Sequence, residues 1–268
     1  MSNPLAGVEV KVDRGFDHLR ELEQETRRFL LNNAYHVSVN LDTQSGWYIG
    51  KFRIDNEPPM LLGIIAGEAI GQFRSALDHL MAQLVRLRRP ATTRSVNFPL
   101  CNTKSQWFDP PRKGARSLRH HTSRMVRPEH FALIEKLQPY HSGGSTPFAG
   151  GPRPTALSVI QWFNNVDKHE VVHTRFMTPT YFSIVPNPRV REMEYRFGPP
   201  YVLENDAELY AVRFVDDAEV KVDILLNVEV CFGPPKYTYI NVYLLQNFGQ
   251  RIRDIVSDFR KITPELQS

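Results

Sequence analysis

The sequence predicts an α+β fold built on a helical core, with a hairpin near the N-terminus and an antiparallel sheet in the second half. Three patterns carry that expectation. Apolar residues recur with helical spacing from Leu62 to Leu84, amphipathic segments occupy residues 16–34 and 241–262, and β-branched and aromatic runs fill much of 181–232. A chain of 268 residues with 41% apolar content can bury a core as one domain, residues 1–268. The candidate internal boundary is the glycine- and proline-rich stretch 141–154.

Each element follows from local chemistry. Residues 16–34 place Phe16, Leu19, Leu22, Phe29 and Leu30 among acids and arginines, the period of an amphipathic helix. Tyr35-His-Val-Ser-Val-Asn-Leu41 and Trp47-Tyr-Ile-Gly-Lys-Phe-Arg-Ile54 then flank Asp42 to Gly46, a hairpin signature with glycine free to take positive φ. Pro58 and Pro59 open the long central helix, since proline is tolerated in a first turn, and Arg89-Pro90 ends it. Periodicity disappears between residues 90 and 127, which reads as one long basic loop. A short helix is expected from Pro128 to Leu137, and another starts at Pro154-Thr155. Segments 181–187, 190–197, 209–216 and 220–232 have strand composition, and Val242, Leu245, Phe248, Ile252, Val256 and Phe259 align along a last helix.

Composition bounds the setting. Cys101 and Cys231 are far apart and form no C-x-x-C pattern, so neither a disulfide framework nor a thiolate zinc site is expected, which fits a reducing cytoplasm. The first residues lack a positive start followed by an apolar core, and the apolar run Met60–Ile70 is short and interrupted by glycine, so neither an export signal nor a membrane span is expected. A net charge of +4 admits an acidic partner without demanding one. A homodimer is equally admitted.

The densest chemistry lies in Asn164 to His173, NNVDKHEVVH. Read from His169, it matches H-E-x-x-H, in which a helix presents two imidazoles to Zn²⁺ and a glutamate as general base, with His169, His173 and a downstream Glu192 as the ligands. Two features oppose that reading. His173 is the last histidine of the chain, and Val171 and Val172 favour a strand. Read from Asn164, the same stretch is a polar helix end whose Asn165, Asp167, Lys168 and His169 can meet Arg74, Asp78 and His79 of the central helix. On that helix Gly63, Gly67 and Gly71 form a stripe that runs into Arg74 and Asp78, and glycine at four-residue spacing suggests a close backbone approach. The structural alternative for Arg74 and Asp78 is an i,i+4 ion pair at a packed interface. His79 projects away from both.

The string FRSALDHL, Phe73 to Leu80, contains R-x-x-x-x-H from Arg74 to His79 and resembles the motif of HEPN ribonucleases. That resemblance implies metal-independent cleavage of RNA, with the arginine stabilising phosphate charge and the histidine transferring a proton. It covers one helix, and the β-rich second half departs from the family's compact helical bundle. FRSALDHL together with NNVDKH is also similar to a group of bacterial proteins of unknown activity that pair an LRSALDHL helix with an NxDKH helix end. Phe98-Pro99 and Gln138 to Tyr140 lie between the two motifs in the same order. This second resemblance implies one shared site and brings no chemistry with it.

If the two helices meet, Arg74, Lys168 and His79 offer positive charge to a phosphate, His169 oriented by Asp78 or Asp167 accepts a proton, and Asn165 holds an oxygen. No cofactor is then required. The basic segment supplies a nucleic-acid surface of Trp107, Arg112, Lys113, Arg116, Arg119 and Arg124, suited to RNA or single strands through stacking and phosphate contacts. Three functions therefore stand open: a ribonuclease or nucleic-acid-binding protein, a zinc metallopeptidase, and a non-catalytic protein whose polar groups form a structural network.

Overall fold

A computed structural model describes residues 4–90, 96–142, 155–167, 172–177, 183–184, 189–197, 202–215, 224–226, 228–233 and 240–266. In chain order the elements are α1 (Ala6–Leu31), β1 (Tyr35–Asp42), β2 (Trp47–Ile54), α2 (Met60–Arg88), α3 (Lys104–Phe108), α4 (Leu118–Met125), α5 (Pro128–Lys136) and α6 (Ala156–Asp167). Then come β3 (Thr174–Met177), β4 (Ser183–Ile184), β5 (Val190–Tyr195), β6 (Val202–Leu203), β7 (Glu208–Phe214), β8 (Ile224–Leu225), β9 (Glu229–Phe232), β10 (Ile240–Asn241) and α7 (Val242–Lys261). The fold is α+β, as expected. Among the described residues, no helix is long and apolar enough to cross a membrane.

The central helix is the axis of the molecule. α2 packs against α1, α6 and α7, and its Leu62, Ile65, Ala69, Phe73, Leu77, Leu80 and Leu84 are all buried. Phe73 sits where α1 and α7 come closest to α2. A Cβ on Gly15 of α1 would lie 2.5 Å from its ring, and a Cβ on Gly249 of α7 would also lie 2.5 Å from it. Phe16 meets the same ring edge-on, with centroids 5.4 Å apart. Of the glycine stripe, Gly63 and Gly67 are buried, and only Gly71 departs from expectation, since a Cβ on it would meet nothing within 4 Å.

α1 begins ten residues earlier than residue 16. Leu5, Val8, Val12, Gly15, Leu19 and Leu22 continue one buried stripe, and ion pairs from Glu9 to Arg260 and from Asp13 to Arg253 tie that first part to α7. The single basic loop expected over 90–127 is also corrected, because α3 and α4 lie within it. Both are set by caps and not by periodicity: Thr103 and Gln106 form a capping box on α3, and the Ser117 hydroxyl accepts the His120 N–H on α4. The stretch proposed as an internal boundary falls almost wholly on residues 143–154, outside the described residues.

The antiparallel sheets join distant parts of the chain. One runs β1-β2-β7-β5, so the N-terminal hairpin pairs with strands from the second half, a second runs β10-β9-β3-β6, and β4 pairs with β8 alone. Gly46, with φ of 71°, closes the β1–β2 turn. A smaller core of Phe52, Phe176, Leu203, Leu209, Tyr210 and Val212 lies between these sheets, and Phe29 and Leu30 of α1 pack against both it and the helical core.

One buried imidazole gives the fold a pH dependence. His130 of α5 is fully buried, its Nε2 shares a 2.8 Å hydrogen bond with the Thr263 hydroxyl, and its ring packs on Phe259 of α7. Burial pushes the imidazole below its ordinary value and Arg127 adds to this, while Glu129 and Glu265 oppose. The unfolded chain, with an ordinary histidine near about 6.5, therefore binds more protons than the folded one just below that pH. His130 neutrality thus favours folding fully above the unfolded value, and the benefit shrinks as pH falls beneath it. The urea midpoint is expected to drop between pH 7.5 and pH 5 more steeply for the wild type than for His130→Gln, and parallel curves would show that His130 is not responsible.

Candidate functional site

The polar face of α2 is organised around the backbone of one residue. Arg74 Nη2 donates to Asp78 Oδ1 at 2.8 Å and to the Phe98 carbonyl at 2.8 Å, while the Phe98 N–H donates to the same Asp78 oxygen at 2.8 Å. The i,i+4 spacing puts the guanidinium and the carboxylate side by side, and together they meet both hydrogen-bonding groups of Phe98. Arg74 is only 8% exposed. Burial pushes its guanidinium down and the Asp78 carboxylate opposes that shift. Its Nη1 is buried and has no hydrogen-bond partner among the described residues.

The segment held there is fixed from its other side by residues that follow α5. Gln138 Nε2 donates to the Pro99 carbonyl at 3.0 Å and to the Ile134 carbonyl at 2.9 Å, and its Oε1 accepts the Cys101 N–H at 3.0 Å. The Tyr140 N–H donates to the Cys101 carbonyl at 3.1 Å. Phe98, Pro99, Cys101, Gln138 and Tyr140 are all buried, and burial raises the Cys101 thiol to about 11. The Phe98-Pro99 and Gln138-to-Tyr140 pieces that accompany FRSALDHL in sequence therefore meet in one hydrogen-bonded strap between α2 and α5.

His79 is not part of that cluster. It is exposed toward α1, where a Cβ on Gly7 would lie 3.8 Å from its Nδ1, and desolvation together with Lys11 lowers its imidazole below the ordinary value. α6 does pack against α2, so the helices carrying the two motifs are neighbours. Asn164 is buried and Asn165 exposed in the last turn of α6, and Asp167 is its final residue. Lys168, His169 and Glu170 lie outside the described residues. The zinc pattern requires His173 on the same helix as His169, and His173 lies in the non-helical residues before β3. Its carbonyl accepts the Gly233 N–H at 3.1 Å. Glu192 sits on β5, where it accepts from Arg213 at 3.2 Å.

The basic segment divides into buried anchors and exposed cations. Trp107 is corrected from a stacking surface to a core residue: it is 0% exposed, lies nearly parallel to Phe131 with centroids 6.1 Å apart, and donates its indole N–H to Glu135 at 3.0 Å. Arg119 is likewise engaged, donating to Glu135 at 2.7 Å and lying over Phe131 and Phe108. These hydrogen bonds hold the Glu135 carboxyl below its ordinary range, Arg119 contributing most. Phe108, 47% exposed, is the aromatic that faces outward. Arg112, Lys113, Arg116 and Arg124 are exposed and have no acidic partner among the described residues. Arg116, His120 and Arg124 follow one another at four-residue spacing, and the His120 imidazole is lowered by desolvation and then by Arg116, Arg124 and His121 around it. Arg88 donates to the carbonyls of Ser123 and Val126, which joins the end of α2 to the end of α4. Compared with protein-family models, with curated proteins and with solved structures, the chain matches none.

Proposed function

We propose that this protein binds single-stranded nucleic acid, RNA foremost, through the cations of the Arg112–Arg124 segment. The observation that carries the proposal is the sorting of charge in and just after that segment: Arg119 and Arg127 are paired with Glu135 and Glu265, while Arg112, Lys113, Arg116 and Arg124 are exposed without acidic partners among the described residues. Unpaired cations beside an outward aromatic, Phe108, suit a backbone of phosphates with bases stacking alongside. On this reading Arg74 and Asp78 hold the fold and do not touch the ligand. Fluorescence anisotropy with a labelled single-stranded RNA tests it. The variant Arg112→Ala/Lys113→Ala/Arg116→Ala/Arg124→Ala is expected to bind more weakly, and its slope of log affinity against log salt is expected to fall by about 3 if each phosphate contact contributes about 0.7. An unchanged slope, or no binding by the wild type at low salt, would refute the assignment.

A second reading, metal-independent phosphodiester cleavage at the α2–α6 junction, is favoured by the packing of α6 on α2 and by the buried Nη1 of Arg74, which has no hydrogen-bond partner among the described residues. Incubating the same RNA in EDTA separates the two. Intact RNA is expected with the wild type, whereas cleavage that vanishes in a folded Arg74→Lys variant would establish the second reading.

A further inference from the structure

Among the described residues the first sheet ends in two edge strands, β1 and β5, and they are built in different ways. β5 carries Arg191, Glu192 and Glu194, and its register with β7 shifts between Val190 and Glu192, which are devices that discourage another strand from adding. β1 is less protected, with a single carboxylate, Asp42, at its end. It pairs with β2 over eight residues without a register shift, contains neither proline nor lysine, and leaves Val39 at 44% and Leu41 at 48% exposure.

Its outward amides can be assigned from hydrogen bonds on its inner side. Phe52, opposite Val37, donates its N–H to Ala207 at 2.9 Å and accepts the Asp206 N–H at 2.9 Å, so its peptide groups point away from β1. In an antiparallel pair the residue opposite such a position points away as well, and the pattern repeats every second residue. The N–H and C=O groups of Val37, Val39 and Leu41 therefore face the open edge. The carbonyls of Ala34 and Asp42 turn inward to the Asp55 and Gly46 amides, in agreement.

We infer that β1 pairs antiparallel with β1 of a second copy about a two-fold axis through Val39, joining two four-stranded sheets into one. The strand is complementary to itself in that register. His36 faces Asp42, Val37 faces Leu41, Ser38 faces Asn40, and Val39 faces its own counterpart, so apolar side chains meet in the middle and, at each end, an imidazole whose Nδ1 is already held by Asp55 meets a carboxylate that also accepts from Ser45. Shifting the axis by one or two residues sets His36 against a neutral side chain and loses both charge pairs. Outward amides meet at Val39 itself, where each strand donates one hydrogen bond and accepts another. A two-fold axis closes the assembly, so no edge of this kind is left over.

Sedimentation equilibrium on the full chain is expected to show a dimer. Val39→Lys places two ammonium groups against each other across the axis and is expected to raise the dissociation constant at least about tenfold, with circular dichroism unchanged because the position is exposed in the single chain. Val39→Asp alone is expected to do the same, and mixing the two variants is expected to restore dimers containing one copy of each. Val39→Cys is expected to form an intermolecular disulfide on mild oxidation, whereas Val10→Cys, exposed on α1, is not. A monomeric wild type at the highest soluble concentration, a Val39→Lys protein that stays dimeric, or mixed variants that remain monomeric would each overturn the pairing. A wild type that is monomeric yet takes up an extended foreign peptide along β1 would overturn it as well.

Discussion

Arg74→Ala is expected to lower the free energy of unfolding by about 3–5 kcal/mol, the loss typical of removing one partner from a buried ion pair. The guanidinium does two jobs at once, neutralising Asp78 and satisfying the Phe98 carbonyl, and at 8% exposure water cannot readily replace it. Asp78→Asn keeps an acceptor for the Phe98 N–H and is expected to cost less, about 1–3 kcal/mol, because only the charge is removed from a more accessible position. The informative variant is Arg74→Met/Asp78→Leu. Exchanging a simple buried pair for apolar residues of similar volume is often neutral. Here the exchange also strips the Phe98 amide and carbonyl of their partners, so recovery should be incomplete, and the residual loss measures the share of the clamp that belongs to the backbone. Urea denaturation reads all four proteins. A change below about 0.5 kcal/mol for Arg74→Ala, the range of ordinary surface substitutions, would mean that the strap holds without it and that Arg74 must be sought in chemistry instead.

The helix that carries this clamp was legible in the sequence almost to the residue, because Pro58-Pro59 and Arg89-Pro90 bracket an unbroken apolar period and α2 runs from Met60 to Arg88. The i,i+4 spacing of Arg74 and Asp78 also foretold their pairing. Their third partner was hidden, since a backbone amide in an extended segment has no side-chain signature. Trp107 misled for a related reason. Cations surround it in sequence, but its burial is decided by Phe131 and Glu135 on a later helix, contacts that local periodicity does not encode. α3 and α4 carry their caps in the sequence, as Thr103 with Gln106 and as Ser117, but no apolar period follows either, so local pattern does not distinguish them from loop. The start of α1 was misplaced because Val8, Val10 and Val12 look like strand residues, whereas Leu5, Val8, Val12 and Gly15 form one helical stripe whose last member is a glycine. Glycine spacing on α2 pointed to a close approach that the open surroundings of Gly71 do not share, and tight contacts to Phe73 are made by Gly15 of α1 and Gly249 of α7.

Those tight contacts define the second large effect. Phe73→Ala is expected to cost about 3–5 kcal/mol, since the ring fills the space where three helices converge. The sharper test is on its neighbours. Gly249→Ala should gain up to about 1 kcal/mol of helix propensity, yet its Cβ would stand 2.5 Å from the Phe73 ring. The ring cannot retreat, because Gly15 is equally close on the other side and Phe16 packs on its edge. Overpacking is therefore expected to prevail, with a net loss of about 1–3 kcal/mol. Gly71→Ala, in the interior of α2 with open space around it, makes the same chemical change without the clash and is expected to stabilise by about 0.5–1 kcal/mol. Phe73→Leu should relieve the strain, so Gly249→Ala/Phe73→Leu should be more stable than the two single losses sum to, by about 0.5–3 kcal/mol of coupling. If Gly249→Ala stabilises the protein as Gly71→Ala does, Phe73 has room to move, and the convergence of α1, α2 and α7 on that ring is looser than these distances require.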